Sequence, residues 1–175
     1  MNIFVTDLNP FKAARNLCDA HVNKMIIETC QLLSTQDRLN GLTNDRYKIT
    51  HKNHPCRKCL SNEFNYIWLQ YHLYGLCKEY THRFGKIHKS QSLLEKYWLR
   101  KDSDELYNHK VDFLENYYEL LQCTSFPQCI PIDFKNSSTD IFDVIKAYRN
   151  YYFFKKHTLK RFNYTKRNIP DWMKK

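Results

Sequence analysis

His21 and Glu28 are the two residues whose types and spacing most directly suggest chemistry. At about 100° per residue, a gap of seven residues is close to two turns, so both side chains lie on one side of the helix predicted over residues 11–36. That side is otherwise apolar, and burial there raises the pKa of a carboxylate, as a general acid or base requires. Lys24 is spaced to contact either residue. The three residues form a candidate catalytic site. A pair that only holds the core together is the alternative.

A second cluster of reactive side chains lies in a polar loop predicted over residues 40–60. His51, His54, Cys56 and Cys59 follow an H-x2-H-x-C-x2-C pattern, whose ligand types suit zinc. One short loop rarely surrounds a tetrahedral ion alone, and a Cys-x2-Cys pair usually needs a second, distant pair. We therefore favour a basic loop in which the His54-Pro55 step places Arg57 against phosphate. No metal or cofactor is assigned, and zinc stays open as the alternative.

The charge and aromatic content favour a nucleic-acid partner. The 175 residues include 28 Lys and Arg against 18 Asp and Glu, a net charge of +10, and 13 Tyr. Tyr and Arg interleaved along a chain can stack on bases and bind phosphates. A generic basic protein with packed Tyr faces is the alternative. The candidate DNA-binding residues are His54, Arg57, Arg83, Arg149, Lys166, Arg167 and Trp172.

Several classes of protein are disfavoured by what the sequence lacks. It has no Gly-rich phosphate loop, H-E-x-x-H or G-x-S-x-G motif, which argues against ATPases, dinucleotide enzymes, zincins and elbow-type hydrolases. Only 3 Gly and 5 Pro argue against a many-turned β-sandwich and against disorder. No stretch is apolar enough for a transmembrane helix. Seven cysteines without a secretion signal predict reduced thiols in an intracellular protein, in the cytoplasm or nucleus.

The elements that must position these residues are predominantly helices. We predict a mainly α-helical bundle in one domain over residues 1–175, monomeric, with an extended N-terminal arm and a basic C-terminal tail. Asp7 or Asn9 caps the first helix, with Pro10 in its first turn. The predicted segments are an arm at 2–6, helices at 11–36, 62–84, 89–99 and 103–123, a linker at 124–136, a helix ending near 157 and the tail at 158–175.

Three short patterns give the chain a family resemblance. Asp19-Ala20-His21 is followed by Glu28, residues 76–85 read Leu-Cys-Lys-Glu…Arg-Phe-Gly, and residues 167–172 end in Pro-Asp-Trp. Together they resemble the phage pyrimidine-dimer DNA glycosylases of the endonuclease V type. The resemblance implies a small, basic, mostly helical protein whose arm delivers its α-amine to a site on the first long helix. The family's Arg before the catalytic Glu is Ile27 here.

The resemblance also implies an activity, namely repair of duplex DNA at damaged pyrimidines such as ultraviolet-induced dimers, with AP-lyase activity as a further expectation. Glu28 would act as the catalytic carboxylate, and His21 would hold Glu28 or a phosphate. The nucleophile is left open between the amine of Met1, Lys24 and water. Two alternatives remain: a non-catalytic nucleic-acid-binding accessory protein of viral or phage type, and an enzyme acting on a free nucleotide or modified base. Lesion type and the choice of DNA over RNA also stay open.

Overall fold

The computed structural model describes residues 1–42, 47–94 and 123–174, and their regular elements are helices. The short 3-10 helices are Cys59–Ser61, Lys89–Gln91, Ile132–Phe134 and Asp171–Met173. The described ranges contain no β-strand, so the prediction of a mainly α-helical fold is confirmed. The α-helices are α1 Pro10–Arg15, α2 Asp19–Leu39, α3 Pro55–Lys58, α4 Glu63–Phe84 and α5 Ile141–Thr158.

The helix starts predicted near residues 9 and 62 agree with the observed caps. The Asn9 side chain accepts hydrogen bonds from the first amides of α1, and Pro10 is the first helical residue. The Asn62 side chain caps α4, which ends at Gly85 with a φ of 63°, a left-handed conformation that favours glycine. Asp140 caps α5 through the amides of the next turn. Local sequence therefore fixes where these helices begin and end.

The single helix predicted over residues 11–36 is wrong, because the chain breaks between α1 and α2. Side chains from distant segments bind the backbone groups that the break leaves free. The Tyr164 hydroxyl donates to the Asn16 carbonyl at 2.8 Å, and the Cys18 amide donates to the Tyr152 hydroxyl at 2.8 Å. The Arg83 guanidinium donates to the Leu17 carbonyl at 2.7 Å. Tertiary contacts thus override a continuous helical pattern.

Helix α4 is the central element, and α1 and α2 pack against it. Gly75 of α4 lies where a Cβ atom would come within 3.1 Å of the Ala14 Cβ and 3.2 Å of the Phe11 ring. This close approach explains a glycine in the middle of a helix. The Trp68 indole donates to the Leu8 carbonyl, which ties α4 to the segment before α1. The core therefore forms around α4, and α2 lies along its side.

The N-terminal arm runs antiparallel to α1 and α2 without forming a strand. The Val5 amide donates to the Ile3 carbonyl and the Thr6 amide to the Phe4 carbonyl, so the arm turns tightly where an extended arm was predicted. Thr6 contacts the Ala13 carbonyl, Phe4 stacks on His21 with ring centroids 4.8 Å apart, and the Asn2 amide reaches Glu28. Ile3, Phe4 and Val5 are buried, and Phe4 also contacts tyrosines of α5. Because residues 3–6 are buried, the arm is held in one position.

The remaining predicted segments agree only in part with the structure. The loop predicted over 40–60 contains the short helix α3, which begins at Pro55 after a His54 N-cap. The prediction for 103–123 falls outside the described residues except at its last position, and that for 89–99 is described only to residue 94. The linker holds a short 3-10 helix. Among the described residues, no helix is both long enough and apolar enough to cross a membrane.

Candidate active site

Glu28 lies at the end of the arm, on the edge of the buried side of α2. Its Oε2 accepts a hydrogen bond from the Asn2 backbone amide at 3.1 Å, and its Oε1 lies 3.2 Å from the Lys24 ammonium. The Glu28 side chain is 15% exposed and that of Lys24 is 65% exposed. The carboxylate is thus held by two donors and still reaches the surface, where a large substrate can approach it.

The α-amine of Met1 is adjacent to this carboxylate. Met1 precedes the amide that contacts Glu28, and consecutive backbone nitrogens are about 3–4 Å apart, so the amine lies within roughly 7 Å of Oε2. Its positive charge also acts on His54, the N-cap of α3. Partial burial lowers the pKa of His54, and the charges of the α-amine and of His51 lower it further, while Glu28 acts in the opposite direction. The amine, Glu28 and His54 therefore share one region of the surface.

His21 does not meet Glu28, which corrects the expectation that it holds the carboxylate. Seven residues of helix separate the two by about 10 Å along the axis. His21 is buried, its Nδ1 lies 2.8 Å from the Tyr152 hydroxyl, and its ring stacks on Phe4. Burial, followed by the charges of Lys155 and Lys24, lowers the pKa of His21 to about 4. A neutral His21 therefore positions the arm from beneath it and has no access to a phosphate.

Two thiols form the wall of the site beyond Asn2. The Cys56 and Cys129 sulfurs are 3.4 Å apart, and the Asn2 side-chain amide donates to the Cys129 carbonyl at 3.0 Å. The hydrogen bond between the thiols lowers the pKa of Cys129 to about 7 and raises that of Cys56. The Asn2 Oδ1 accepts from the Tyr148 hydroxyl at 2.8 Å. Asn2 is thus bound through both its backbone and its side chain.

Arg83 is buried in the core, so the expectation that it binds DNA is corrected. Its side chain is 0% exposed and donates to Glu79 and Asp19, each at 3.1 Å, and to the carbonyls of Arg15 and Leu17. The Glu79 contact lies within α4, and the other three bonds join the end of α4 to the break between α1 and α2 and to the first residue of α2. The guanidinium therefore serves the fold and is unavailable to a phosphate.

The other predicted DNA contacts lie at the surface or partly buried. Arg57 is bound to the Lys52 carbonyl, Arg167 donates to both oxygens of Glu79 at 2.7 and 2.9 Å, and Lys166 is exposed. Arg167 is therefore used within the protein, whereas Lys166 is open to a partner.

Arg149 and Trp172 lie together where α5 meets the end of the arm, and the Arg149 guanidinium donates to the Thr6 carbonyl at 2.7 Å. The guanidinium carbon of Arg149 is 5.5 Å from the centre of the Trp172 ring, and Arg149 also pairs with Asp7 at 3.2 Å. Both residues line a surface groove of about 580 Å³ with Phe154, which is 46% exposed. Trp172 also packs near Tyr152, so it anchors the tail as well. The groove combines positive charge with aromatic rings, as base-binding surfaces do.

Sequence patterns alone did not single out Asn2, Phe4, Tyr152 and Cys129. Tyr148 and Tyr152 are four residues apart on α5 and so share one face, but nothing in the sequence indicated that this face contacts the arm. Cys129 is more than 70 residues from Cys56, and only the fold brings their sulfurs together. Phe4 and Asn2 belong to a stretch whose apolar content indicated an arm without indicating its partner.

The fold and the site define a class of basic, helical protein whose N-terminal arm brings its first residues to a carboxylate on a long helix. A family model described as pyrimidine dimer DNA glycosylase matches residues 1–93, just over half of the chain. The chain belongs to that family, whose members are DNA repair proteins. Neither the curated proteins nor the solved structures contain a match.

Proposed function

We propose that this protein removes ultraviolet-induced pyrimidine dimers from duplex DNA as a monomer, and that an imine formed at its N-terminal arm also gives it AP-lyase activity. The observation that carries the proposal is the 3.1 Å contact between the Asn2 amide and Glu28. It holds the first backbone nitrogens of the chain beside a carboxylate at the surface. The arm cannot drift away, because its next residues are buried.

The α-amine is a better nucleophile here than Lys24. As a class, α-amines are less basic than lysine side chains, so an α-amine more readily becomes the neutral species that attacks carbon. The Lys24 side chain is 65% exposed and paired with Glu28. Lys24 therefore serves to fix the carboxylate, and the nucleophile comes from the arm.

The reaction uses the amine and Glu28 in sequence. The amine lone pair attacks sugar C1′, the bond from C1′ to the base nitrogen breaks, and the base leaves with that electron pair and takes a proton. The Glu28 carboxylate stabilises the positive charge that develops on the sugar and takes the proton that the amine loses once the C1′–N bond has formed. Glu28 then delivers that proton to the ring oxygen as the C1′–O4′ bond opens to the imine. Loss of a C2′ proton then expels the 3′ phosphate, which is the lyase step.

The surface of the protein supports a duplex as substrate. The net charge is +10, His54 lies near the α-amine of the arm, Arg57 is half-buried on α3, and Lys166 is exposed at the tail. The groove lined by Arg149, Trp172 and Phe154 adds aromatic rings that can stack on an exposed base. A duplex bent across this surface would present a damaged nucleotide to Glu28.

Borohydride trapping on ultraviolet-irradiated duplex DNA tests the proposal. Reduction of the imine should leave a covalent protein–DNA adduct, and peptide mapping should locate it at Met1, or at Asn2 in molecules that have lost Met1. An adduct at Lys24 would refute the role of the arm. Cleavage of the glycosidic bond without any adduct would point to water as the nucleophile. Binding without cleavage would point to an accessory protein, and activity on free nucleotides alone would point to a nucleotide enzyme.

An added residue before Met1 tests the same assignment by geometry. The extension moves the amine away from Glu28, so activity should fall by orders of magnitude while duplex affinity is largely kept. Lys24→Ala removes one neighbour of Glu28 and should have only a modest effect. A fully active extended protein together with an inactive Lys24→Ala variant would contradict the proposal.

A further inference from the structure

His54, Cys56 and Cys129 bring three metal-ligating atoms together at the wall of the site. These ligand atoms all lie within 4.8 Å of one another, and the two sulfurs are 3.4 Å apart. Within residues 1–42, 47–94 and 123–174, these three side chains form the one group of three or more His, Cys, Asp or Glu residues close enough together to hold a metal ion. Two ligands come from the start of α3 and the third from the segment before α5, so the fold supplies the distant ligand that one short loop lacks.

The surrounding contacts hold the three side chains in place. Cys56 is buried, and the Tyr148 hydroxyl accepts the Cys129 amide hydrogen at 3.3 Å. The Asn2 side chain donates to the Cys129 carbonyl at 3.0 Å. The His54 Nδ1 accepts the Cys56 amide hydrogen at 3.2 Å, which shows that this nitrogen carries no proton; an ion bound there would replace that hydrogen bond. Supporting bonds of this kind orient the ligands of metal sites.

The distances suit a tetrahedral ion after small movements. With Zn–S bonds of about 2.3 Å, two thiolates of a tetrahedral site are about 3.8 Å apart. The observed 3.4 Å is slightly shorter, and the largest separation of 4.8 Å must shrink by about 1 Å. Thiolate and imidazole ligands favour Zn²⁺ over Mg²⁺ or Ca²⁺. Cys59 follows Cys56 by three residues, a usual zinc spacing, and its thiol already lies 3.2 Å from the Cys56 carbonyl.

We propose that His54, Cys56 and Cys129 bind one Zn²⁺, with Cys59 turning in as the fourth ligand. On binding, each thiol releases its proton to solvent and no electron is transferred. The ion joins α3 to the segment that carries Cys129, on the two sides of Asn2. It is a structural site that fixes the walls around the arm, and it does not depend on the glycosylase chemistry proposed above.

Cobalt substitution in the full chain tests this site without any measurement of activity. The reduced protein, stripped with a chelator and kept free of oxygen, should bind Co²⁺ with the strong visible absorption of a tetrahedral thiolate site. One equivalent of Zn²⁺ should abolish that absorption and raise the melting temperature. Cys129→Ser and His54→Ala should lose the absorption, whereas Cys123→Ser, a partly buried cysteine outside the cluster, should keep it. Cys59→Ser should weaken zinc binding at least tenfold.

Three results would overturn the proposal. Fully reduced protein that gives no cobalt absorption has no such site. Absorption that survives in both Cys129→Ser and His54→Ala places the metal elsewhere. If the reduced thiols bind neither Co²⁺ nor Zn²⁺ and a Cys56–Cys129 disulfide forms readily in air, the pair is a redox couple and not a metal site. Circular dichroism of each variant separates loss of a ligand from loss of the fold, and His54→Ala tests the site without altering a cysteine.

Discussion

Replacing Arg83 with Met should destabilise the protein strongly, because four hydrogen bonds end on this one buried guanidinium. It donates to Glu79 and Asp19 and to the carbonyls of Leu17 and Arg15 at distances between 2.7 and 3.1 Å. Met fills a similar volume but donates nothing. Removing one partner of a buried ion pair costs about 3–5 kcal/mol of unfolding free energy, because the remaining groups are left unpaired.

The remaining contacts place the loss near the lower end of that range. Glu79 keeps both bonds from Arg167, and Asp19 keeps its bonds from Thr165. The two carbonyls lose their guanidinium donor, and each costs about 1–3 kcal/mol if it is not rehydrated. We therefore expect about 3 kcal/mol for Arg83→Met. For a chain of this size, each kcal/mol shifts the melting temperature by about 2–4 °C, so the shift should be about 6–12 °C.

Thermal unfolding followed by circular dichroism measures this shift, and urea unfolding gives the free energy. Arg161→Met is the matched control, since Arg161 is exposed and its loss should cost at most about 0.5 kcal/mol. Arg83→Lys should fall between the two, because one ammonium cannot reproduce the planar fork. An Arg83→Met protein with the wild-type melting temperature but weaker DNA binding would refute this prediction, because Arg83 would then act as a surface contact to DNA.

The other expectations concern catalysis, binding and acid stability. Glu28→Gln should abolish base release while the fold and duplex affinity are kept. Glu63→Gln, which changes an exposed carboxylate on α4, is the control. Wild-type activity in Glu28→Gln would show that Glu28 has only a structural role. Duplex affinity should fall at least roughly tenfold between 50 and 200 mM salt, as titrations at several salt concentrations can show, and insensitivity to salt would exclude extensive phosphate contact. Burial lowers the pKa of His72 to about 4, so the unfolded chain binds the extra proton below pH 6.5, and His72 alone should reduce stability by about 3 kcal/mol between pH 6.5 and 4, in addition to a similar contribution from His21. His72→Gln should flatten that part of a plot of unfolding free energy against pH, and an unchanged slope would mean that His72 is charged in the fold.

The helix ends were predictable from sequence because their signals are local. Asn9, Asn62, Gly85 and Asp140 cap or end helices through backbone groups within a few residues, and such contacts depend little on the rest of the chain. The packing of the arm near Glu28 was also predictable, since an apolar arm directly before a helix can bury its side chains most easily against that helix.

The parts that sequence could not predict depend on contacts between distant segments. The break after Arg15 is stable because Tyr164 and Arg83 bind its backbone, and neither contact follows from the helical pattern of residues 11–36. Arg83 could not be assigned from sequence either. An arginine near a helix end is typical of both surface and core positions, and only the buried network shows that Arg83 does not contact DNA. The contact between the Cys56 and Cys129 sulfurs was equally unpredictable, because it joins segments 73 residues apart in sequence.

The antiparallel arm has a consequence for the order in which the chain matures during synthesis. The arm is translated before Tyr152, against which Phe4 packs, and before Tyr164, which closes the break beneath the arm. A nascent chain halted before residue 148 can already form the contacts of the arm with His21 and Glu28, but it lacks the tyrosines on the other side of Phe4. The arm therefore gains its full set of contacts only after α5 has been translated.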